Sequence, residues 1–347
     1  MIRTARLAQV LEHALRAPSV HNTQPWRWRL GDDVVDLFAD VGRRLPVTDP
    51  DGRDLTISCG AALHHLVVAL GHAGHDTFVK PMPDPQNDTH LATVTISDAP
   101  PDPATARLFG AVARRHTELR RMRCQPVPVA LQAALVDAAH RFDVRMVRAN
   151  GVREAFNAAF AAAAERELWT SGHTTELHIP SRRTATHHHS PGPPLGYRLP
   201  DDGAEFFILA TSEDRTQDWL RAGQALSSVL LTAAQAGLAT TPLSRGHDMG
   251  THHLAGGETA APQIFVRVGW PTARASAPSP SARRDLATVL MRPVDVTVGA
   301  SAQTEGPARN SGLIGAGGEA PFRLRDEADE ASLRPPHPAS TVSVDAS

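Results

Sequence analysis

A short polar loop near the start of the chain carries the residue types best suited to binding a small ligand. Ser19, Asn22 and Gln24 follow one another closely between two prolines. Their hydroxyl and amide groups can donate and accept hydrogen bonds, so they could bind the edge of a flat heteroaromatic molecule. The same residues would also suit a turn that caps a helix and leads into a strand. Residue chemistry alone favours that simpler interpretation.

The segments on both sides of this loop have clear periodicity. Residues 4–17 place apolar side chains on one face and predict an amphipathic helix that Pro18 ends. Residues 26–30 alternate tryptophan with arginine and predict a strand, and residues 34–38 predict its return after a turn. Residues 53–71 predict a second, strongly apolar helix.

The rest of the ordered chain shows the same helical and strand periodicities of apolar residues. We predict further strands at residues 78–80, 91–96, 144–147, 205–210 and 263–268, and helices at residues 104–115, 128–142, 152–169 and 218–236. The order helix, strand, strand, helix occurs twice. The sequence therefore predicts an α+β fold built twice in one chain, with antiparallel sheets flanked by helices.

Proline-rich and low-complexity stretches divide the chain. The run Pro100-Pro101-Asp102-Pro103 predicts a boundary between a first half at residues 1–100 and a second half at residues 101–293. Residues 170–200 lack periodicity and predict a long loop inside the second half. Residues 294–347 are rich in Gly, Ala, Ser, Pro and Glu, which predicts a disordered tail.

Composition excludes several classes of protein. Lys and Arg number 35 against 37 Asp and Glu, which argues against a nucleic-acid partner and against a polybasic membrane binder. No apolar run reaches about 20 residues, and the first residues do not resemble a signal peptide. The only cysteines, Cys59 and Cys124, lie far apart, so we expect no disulfide and a cytoplasmic location.

Histidines cluster in the long loop, at His173, His178 and the run 187–189. Three adjacent histidines cannot easily turn their rings toward one ion, and no acidic or cysteine partner stands at a zinc-like spacing. We therefore expect a polar loop and no metal site.

Three motifs resemble one known family. The run from Ala17 to Trp26 is similar to the Ala-Pro-Ser-x-x-Asn-x-Gln-Pro-Trp signature of the FMN-dependent nitroreductase fold. Residues 237–246 resemble the family's Gly-Leu…Pro loop after its central helix. Residues 265–271, followed by Arg283 to Leu286, resemble its closing strand and basic C-terminal segment. Together the matches span residues 5–292.

The longer, Acg-like homologues of mycobacteria and other actinobacteria are the most similar branch. The resemblance implies two nitroreductase-like halves in one chain, a pseudo-dimer. Residues 1–4 lack the family's full Arg-x-Ser-x-Arg phosphate element, whereas an arginine-rich run at 114–120 opens the second half. The second half has no Pro-Ser…Asn…Gln loop. We expect each half to contribute one complementary part to a single FMN site in a monomer.

The resemblance also implies roles for individual residues, with no catalytic side chain because the flavin carries the chemistry. The FMN phosphate would meet Arg115, Thr117, Arg120 and Arg284. The pyrimidine end of the flavin ring would meet Ser19, Asn22 and Gln24. Backbone groups near the central ring nitrogen would come from Pro242, Leu243 and Ser244.

The function implied is that of an FMN-binding oxidoreductase of nitroreductase type. Hydride would pass from NAD(P)H through FMN to a small nitroaromatic or quinone-like acceptor. The alternative is an FMN-sequestering or storage protein with its flavin closed under a lid formed by residues 170–200 and little turnover. A third possibility, a scaffold that has lost its flavin, is disfavoured by the intact Ser19, Asn22 and Gln24 loop.

Overall fold

The computed structural model describes residues 4–149, 151–158, 198–244, 260–272 and 281–291. Contacts join Met1–Asp295 into one compact unit. The predicted tail at 294–347 lies outside the described residues.

The first half contains one antiparallel sheet and two helices. Its elements are α1 (Thr4–Ala14), β1 (Trp26–Leu30), β2 (Val34–Ala39), α2 (Arg53–His72), β3 (Asp76–Pro81) and β4 (His90–Ser97). The sheet order is β1-β2-β4-β3, and all neighbours are antiparallel. Trp26 and Trp28, both fully buried, lie in the first core together with apolar residues of α1 and α2.

The second half repeats this arrangement after two short connecting helices, α3 (Pro103–Arg107) and α4 (Phe109–Val112). Its elements are α5 (Val129–His140), β5 (Arg145–Arg148), β6 (Glu205–Thr211), α6 (Thr216–Gln235), β7 (Ala239–Leu243) and β8 (Ala261–Gly269). The sheet order is β5-β6-β8-β7, again antiparallel throughout. A final short helix, α7 (Leu286–Val289), packs on α1 and β1 of the first half.

The two halves therefore share both the succession of their elements and the order of their strands. Each runs helix, strand, strand, long helix, strand, strand, and each sheet places its fourth strand third. This confirms the predicted α+β fold with two related halves. The exact boundary between residues 100 and 101 stays a prediction.

Two local predictions were wrong. The helix predicted at 104–115 is two short helices, the first capped by the Asp102 carboxylate, which accepts hydrogen bonds from the backbone N–H groups of Ala104 and Thr105. Strand β7 was not predicted because it contains Pro242. Since β7 is at the edge of its sheet, a residue without an N–H group is tolerated there.

Other predictions fall partly outside the described residues. Residues 152–158 are helical, as predicted for the start of the helix at 152–169. The remainder of that helix, and all of the predicted loop at 170–200 except residues 198–200, lie outside the described residues.

The long helices α2 and α6 cross in direct backbone contact at the centre of the molecule. A Cβ added to Gly60 would stand 2.2 Å from the Leu220 carbonyl oxygen, and one added to Gly223 would stand 2.0 Å from the Ile57 carbonyl oxygen. No side chain fits at those distances, so only glycine permits this approach. Each glycine is the eighth residue of its helix, so the crossing relates the two halves symmetrically.

Two buried histidines occupy the same helix interface. The His64 ring is 2.8 Å from the Ser227 hydroxyl through Nδ1, and His65 Nδ1 lies 2.9 Å from the same oxygen. Burial, assisted by the nearby Arg141, lowers the pKa of His64 to about 3. Burial and the nearby Arg115 also lower the pKa of His65. Both rings are therefore neutral in the folded protein at neutral pH.

Helix α2 is the one described helix long and apolar enough to cross a membrane by length and composition alone. In the structure 89% of that apolar window is buried inside the protein. The helix is apolar on all sides because α1, α3 and α6 all pack against it.

A β-carbon at the helix crossing should destabilise the protein strongly. Gly60→Ala or Gly223→Ala forces α2 and α6 apart, and we expect each to cost more than about 3 kcal/mol of unfolding free energy, beyond ordinary overpacking. Gly110→Ala is the matched control, because its added Cβ, apart from its chain neighbours and its own helix backbone, meets only the Arg114 Nη1 atom, at 4.0 Å, among the described residues. Urea denaturation measures all three, and equal stability of the variants would contradict the close crossing.

The buried histidines predict loss of stability in acid. Above pH 6.5 His64 is neutral in both states and contributes no pH dependence. As pH falls below 6.5 the unfolded chain takes up a proton that the folded chain does not, so stability falls by about 1 kcal/mol per pH unit per histidine. Denaturation at pH 6.5, 5.5 and 4.5 should show this slope, and His64→Gln should reduce it. An unchanged slope in the variant would argue against a neutral, buried His64.

Candidate functional site

A cavity of about 1420 Å³ lies where the two halves meet. It is larger than the roughly 300–1,000 Å³ of most small-molecule sites. The first half contributes the loop after α1 and the first turns of α2. The second half contributes the segment at 112–120, Leu226 of α6, the end of β7 and Ile264 of β8, and residues 281–286 close one side.

The structure brings together nine of the ten residues predicted to bind the cofactor. Those that line the cavity are Ser19, Asn22, Arg115, Thr117, Arg120, Pro242, Leu243, Ser244 and Arg284. The tenth, Gln24, does not line it and is only 5% exposed. The sequence motifs therefore identify residues that line this cavity. The predicted contacts of these residues to a cofactor stay predictions.

The polar loop at 18–24 is held in an unusual backbone conformation. His21, Asn22 and Gln24 have φ angles of 44°, 56° and 50°, in the left-handed region that non-glycine residues rarely adopt. Long-range contacts hold the loop in this form. The Ser58 hydroxyl accepts from the Val20 N–H at 3.1 Å, and Arg43 donates to the Thr23 carbonyl at 2.8 Å. Such strain persists only where surrounding structure enforces it, which is typical of functional sites.

The arginine-rich segment is anchored on the second sheet by a fully buried arginine. Arg267 pairs with the buried carboxylate of Asp202 and donates to the carbonyl oxygens of Glu118 and Arg120, both at 3.2 Å. The Thr241 hydroxyl also donates to the Glu118 carbonyl. These contacts fix the segment that carries Arg115 along the cavity wall.

Two arginines bring uncompensated positive charge to the cavity. Among the described residues neither Arg115 nor Arg283 has a carboxylate partner, and Arg115 Nε and Nη1 and Arg283 Nε are buried without hydrogen bonds. Burial, together with the nearby Arg283, lowers the pKa of Arg115 to about 10. Burial, together with Arg16, lowers the pKa of Arg283 to about 10. Both remain charged at neutral pH, and such donors suit an anion such as a phosphate.

The other two arginines predicted to bind phosphate are already paired. Arg120 donates to the Glu118 carboxylate at 2.6 and 2.8 Å, and Arg284 donates to Asp40 at 3.0 Å. Arg283 was missed by sequence reasoning, which chose its neighbour in the Arg-Arg pair. No sequence signal distinguishes these two residues, because the difference arises from a contact with Asp40, 244 positions away.

A protein metal site needs several His, Cys, Asp or Glu side chains close together. In the portion of the chain with described coordinates, no group of three or more His, Cys, Asp and Glu side chains is placed to hold an ion. His173, His178 and residues 187–189 lie outside that portion.

Comparison with known proteins identifies relatives over most of the chain. No protein-family model matches it. The "Putative NAD(P)H nitroreductase Rv3131" of Mycobacterium tuberculosis is 36% identical over 317 residues, covering 83% of this chain and 91% of that protein. The chain belongs to the nitroreductase family. The "Putative NAD(P)H nitroreductase acg" of the same species is 30% identical over 322 residues, covering 84% and 96%. The predicted membership of the Acg-like branch is thereby confirmed.

A solved structure agrees with this nitroreductase-family assignment at the level of the fold. The crystal structure of "a putative nitroreductase" from Anabaena variabilis superposes with a TM-score of 0.52 at 10% sequence identity. The match covers 77% of this chain and 88% of that chain, so it extends over both halves.

Loss of the Arg267 anchor should destabilise the second half. Arg267→Met leaves the Asp202 charge buried without its main partner, and we expect a cost of about 3 kcal/mol, at the lower end for broken buried pairs. The lower end applies because Arg153 stays 3.5 Å from the other Asp202 oxygen. Arg145→Met, exposed on the same sheet, is the control. Equal thermal midpoints for the two variants would contradict this anchoring role.

Proposed function

We propose that this chain is an FMN-dependent oxidoreductase that takes hydride from NAD(P)H and reduces a small nitroaromatic or quinone-like acceptor. The observation that carries the proposal is the pair of half-buried cations without a described carboxylate partner, Arg115 and Arg283, at a large cavity lined by the nitroreductase signature loop. The names of its M. tuberculosis relatives support the same activity.

The residues present fit the chemical parts of FMN. Arg115 and Arg283 would hold its phosphate, because both lack a carboxylate partner among the described residues, and Arg115 Nε and Nη1 and Arg283 Nε have no protein acceptor there. Thr117, on the same wall, would add a hydroxyl. Arg120 and Arg284 have carboxylate partners, so we assign them to shaping the wall.

For the flavin ring, the cavity offers apolar side chains and uncharged polar groups in place of arginines. Ile57, Leu226 and Ile264 give the cavity an apolar surface on which a flat ring could pack. Ser19 and Asn22 border this surface, and the end of β7 at Pro242, Leu243 and Ser244 offers backbone groups. When bound, FMN supplies the redox chemistry, while the protein supplies binding and orientation.

The structure of the second half supports one FMN per chain. By the symmetry of the helix crossing, the polar loop after α1 corresponds to the turn after α5. There Phe142 packs edge-on against the His64 ring at a centroid distance of 5.3 Å. This turn thus presents an aromatic side chain and has no Ser or Asn among residues 141–144. We propose a pseudo-dimer that acts as a monomer, without a nucleic-acid or membrane partner.

A cytoplasmic location is part of the same proposal. Cys59 is buried and Cys124 is exposed, and both are free thiols. An exposed free thiol suits a reducing compartment.

Removing either cavity cation should weaken FMN binding selectively. We expect Arg115→Ala and Arg283→Ala each to lose about 1.5–3 kcal/mol of FMN affinity, the usual range for a hydrogen bond to a charged group. Binding of riboflavin, which lacks the phosphate, should change little. Fluorescence titration of the apoprotein measures both ligands, with exposed Arg145→Ala as control. Equal FMN affinity in wild type and both variants would remove the phosphate assignment.

The visible spectrum under anaerobic conditions tests turnover. A yellow protein whose absorbance bleaches on addition of NADPH or NADH supports the oxidoreductase. A yellow protein that stays oxidised with both nucleotides supports the alternative, FMN sequestration or storage. A colourless protein that takes up no added FMN contradicts both functions. The predicted lid at 170–200, which distinguishes them, lies outside the described residues except for residues 198–200.

A further inference from the structure

Gln24 binds the chain on both sides of Arg283 without reaching the cavity itself. Its Nε2 donates to the Ala282 carbonyl oxygen at 3.2 Å, and its Oε1 accepts from the Arg284 N–H at 2.8 Å. The side chain thus forms hydrogen bonds with one carbonyl and one N–H that flank Arg283, as a neighbouring strand would. Gln24 is 5% exposed and is absent from the cavity lining, whereas Arg283 lines it.

Other contacts converge on the same peptide units. The Ala282 carbonyl also accepts from Asn22 Nδ2 at 3.1 Å. The Arg284 guanidinium donates to the Gln24 carbonyl at 2.9 Å and to Asp40 at 3.0 Å. Residues 282 and 284 are therefore fixed by these five contacts, three of which involve Gln24.

The guanidinium of Arg283 has no comparable anchor of its own. Its nitrogens donate only to neutral acceptors: Asn22 Oδ1 at 3.2 Å and the carbonyls of Ser281, Ala282 and Arg16 at 3.1–3.3 Å. With no carboxylate partner within the described residues, its position depends on these neutral acceptors and on the backbone that carries it. That backbone is what Gln24 holds.

We propose that Gln24 is a positioning residue that sets the anion selectivity of the cavity by fixing the backbone around Arg283. This inference rests on the proposed function and adds a residue outside the cavity to it. It also replaces the contact between Gln24 and the flavin ring that the sequence motif implied. Donors that are already placed need no reorganisation when the anion arrives, which is the source of the selectivity.

The strained backbone of Gln24 fits this role. At φ 50° Gln24 occupies a conformation that glycine or asparagine would adopt more easily. The Gln24 N–H donates to the Ser19 hydroxyl at 3.0 Å, which helps hold this conformation. The glutamine side chain reaches both residues 282 and 284, whereas an asparagine side chain is one methylene shorter. The need for these two contacts therefore explains why a strained glutamine occupies this position.

The test compares FMN with riboflavin in a double-mutant cycle. Dissociation constants of both flavins are measured for wild type, Gln24→Met, Arg283→Ala and the double variant. The quantity of interest is the ratio of riboflavin to FMN dissociation constants, which reports phosphate selectivity and not general folding. Gln263→Met is the matched control, because Gln263 is 2% exposed and hydrogen-bonded but belongs to β8 and contacts Arg53 and Thr211.

We expect Gln24→Met to lower the selectivity about tenfold, approaching Arg283→Ala, because a charged hydrogen bond to the phosphate depends on the placement of Arg283. The double variant should be no less selective than Arg283→Ala, because two residues that act through one contact are not additive. Gln263→Met should lower the thermal midpoint and retain the wild-type selectivity. Gln24→Asn, which tolerates the backbone conformation, should give an intermediate loss and serves if Gln24→Met does not fold.

Two results would overturn this inference while leaving the proposed function intact. Wild-type selectivity in Gln24→Met and Gln24→Asn would show that Arg283 is placed without Gln24. Losses that multiply in the double variant would show that Gln24 acts independently of Arg283. A wild-type protein that binds FMN no better than riboflavin, or binds neither, would instead overturn the phosphate assignment on which the inference rests.

Discussion

The carbonyl oxygens of Ile57 and Leu220 lie so close to the opposite helix that a β-carbon on Gly223 or Gly60 would overlap them. This constraint fixes the distance between α2 and α6 at the contact of their backbones. The cavity depends on it, because the first turns of α2 and Leu226 of α6 both line it. A wider crossing would separate the polar loop of one half from the arginine-rich segment of the other, and the site is assembled from both.

Charge in and around the cavity is distributed unevenly. Arg120, Arg284 and Arg267 are compensated by Glu118, Asp40 and Asp202, and each stabilises a wall of the site. Arg115 and Arg283 are left without carboxylates in the described structure, which is costly for buried cations. Stability alone does not explain this arrangement. The proposed phosphate would offset the desolvation cost of both arginines, because its oxygens would accept their hydrogen bonds.

Sequence periodicity predicted α2 and α6 to within two residues, because long apolar helices have a strong local pattern. It missed β7, where Pro242 lies at a sheet edge, a position that only the tertiary fold defines. The signature loop located one wall of the site for the same local reason. The roles of Gln24 and Arg283 could not be predicted, because they depend on pairings about 260 residues apart that no sequence spacing encodes.

The pairing of the polar loop with residues 281–285 also determines when the site can form in the life of the molecule. The loop is synthesised about 260 residues before its partners for hydrogen bonding. The first sheet and its core can assemble on the nascent chain, as domains commonly do. The loop meanwhile lacks the contacts that hold its strained backbone, so the complete cavity can form only after residues 281–285 have been synthesised.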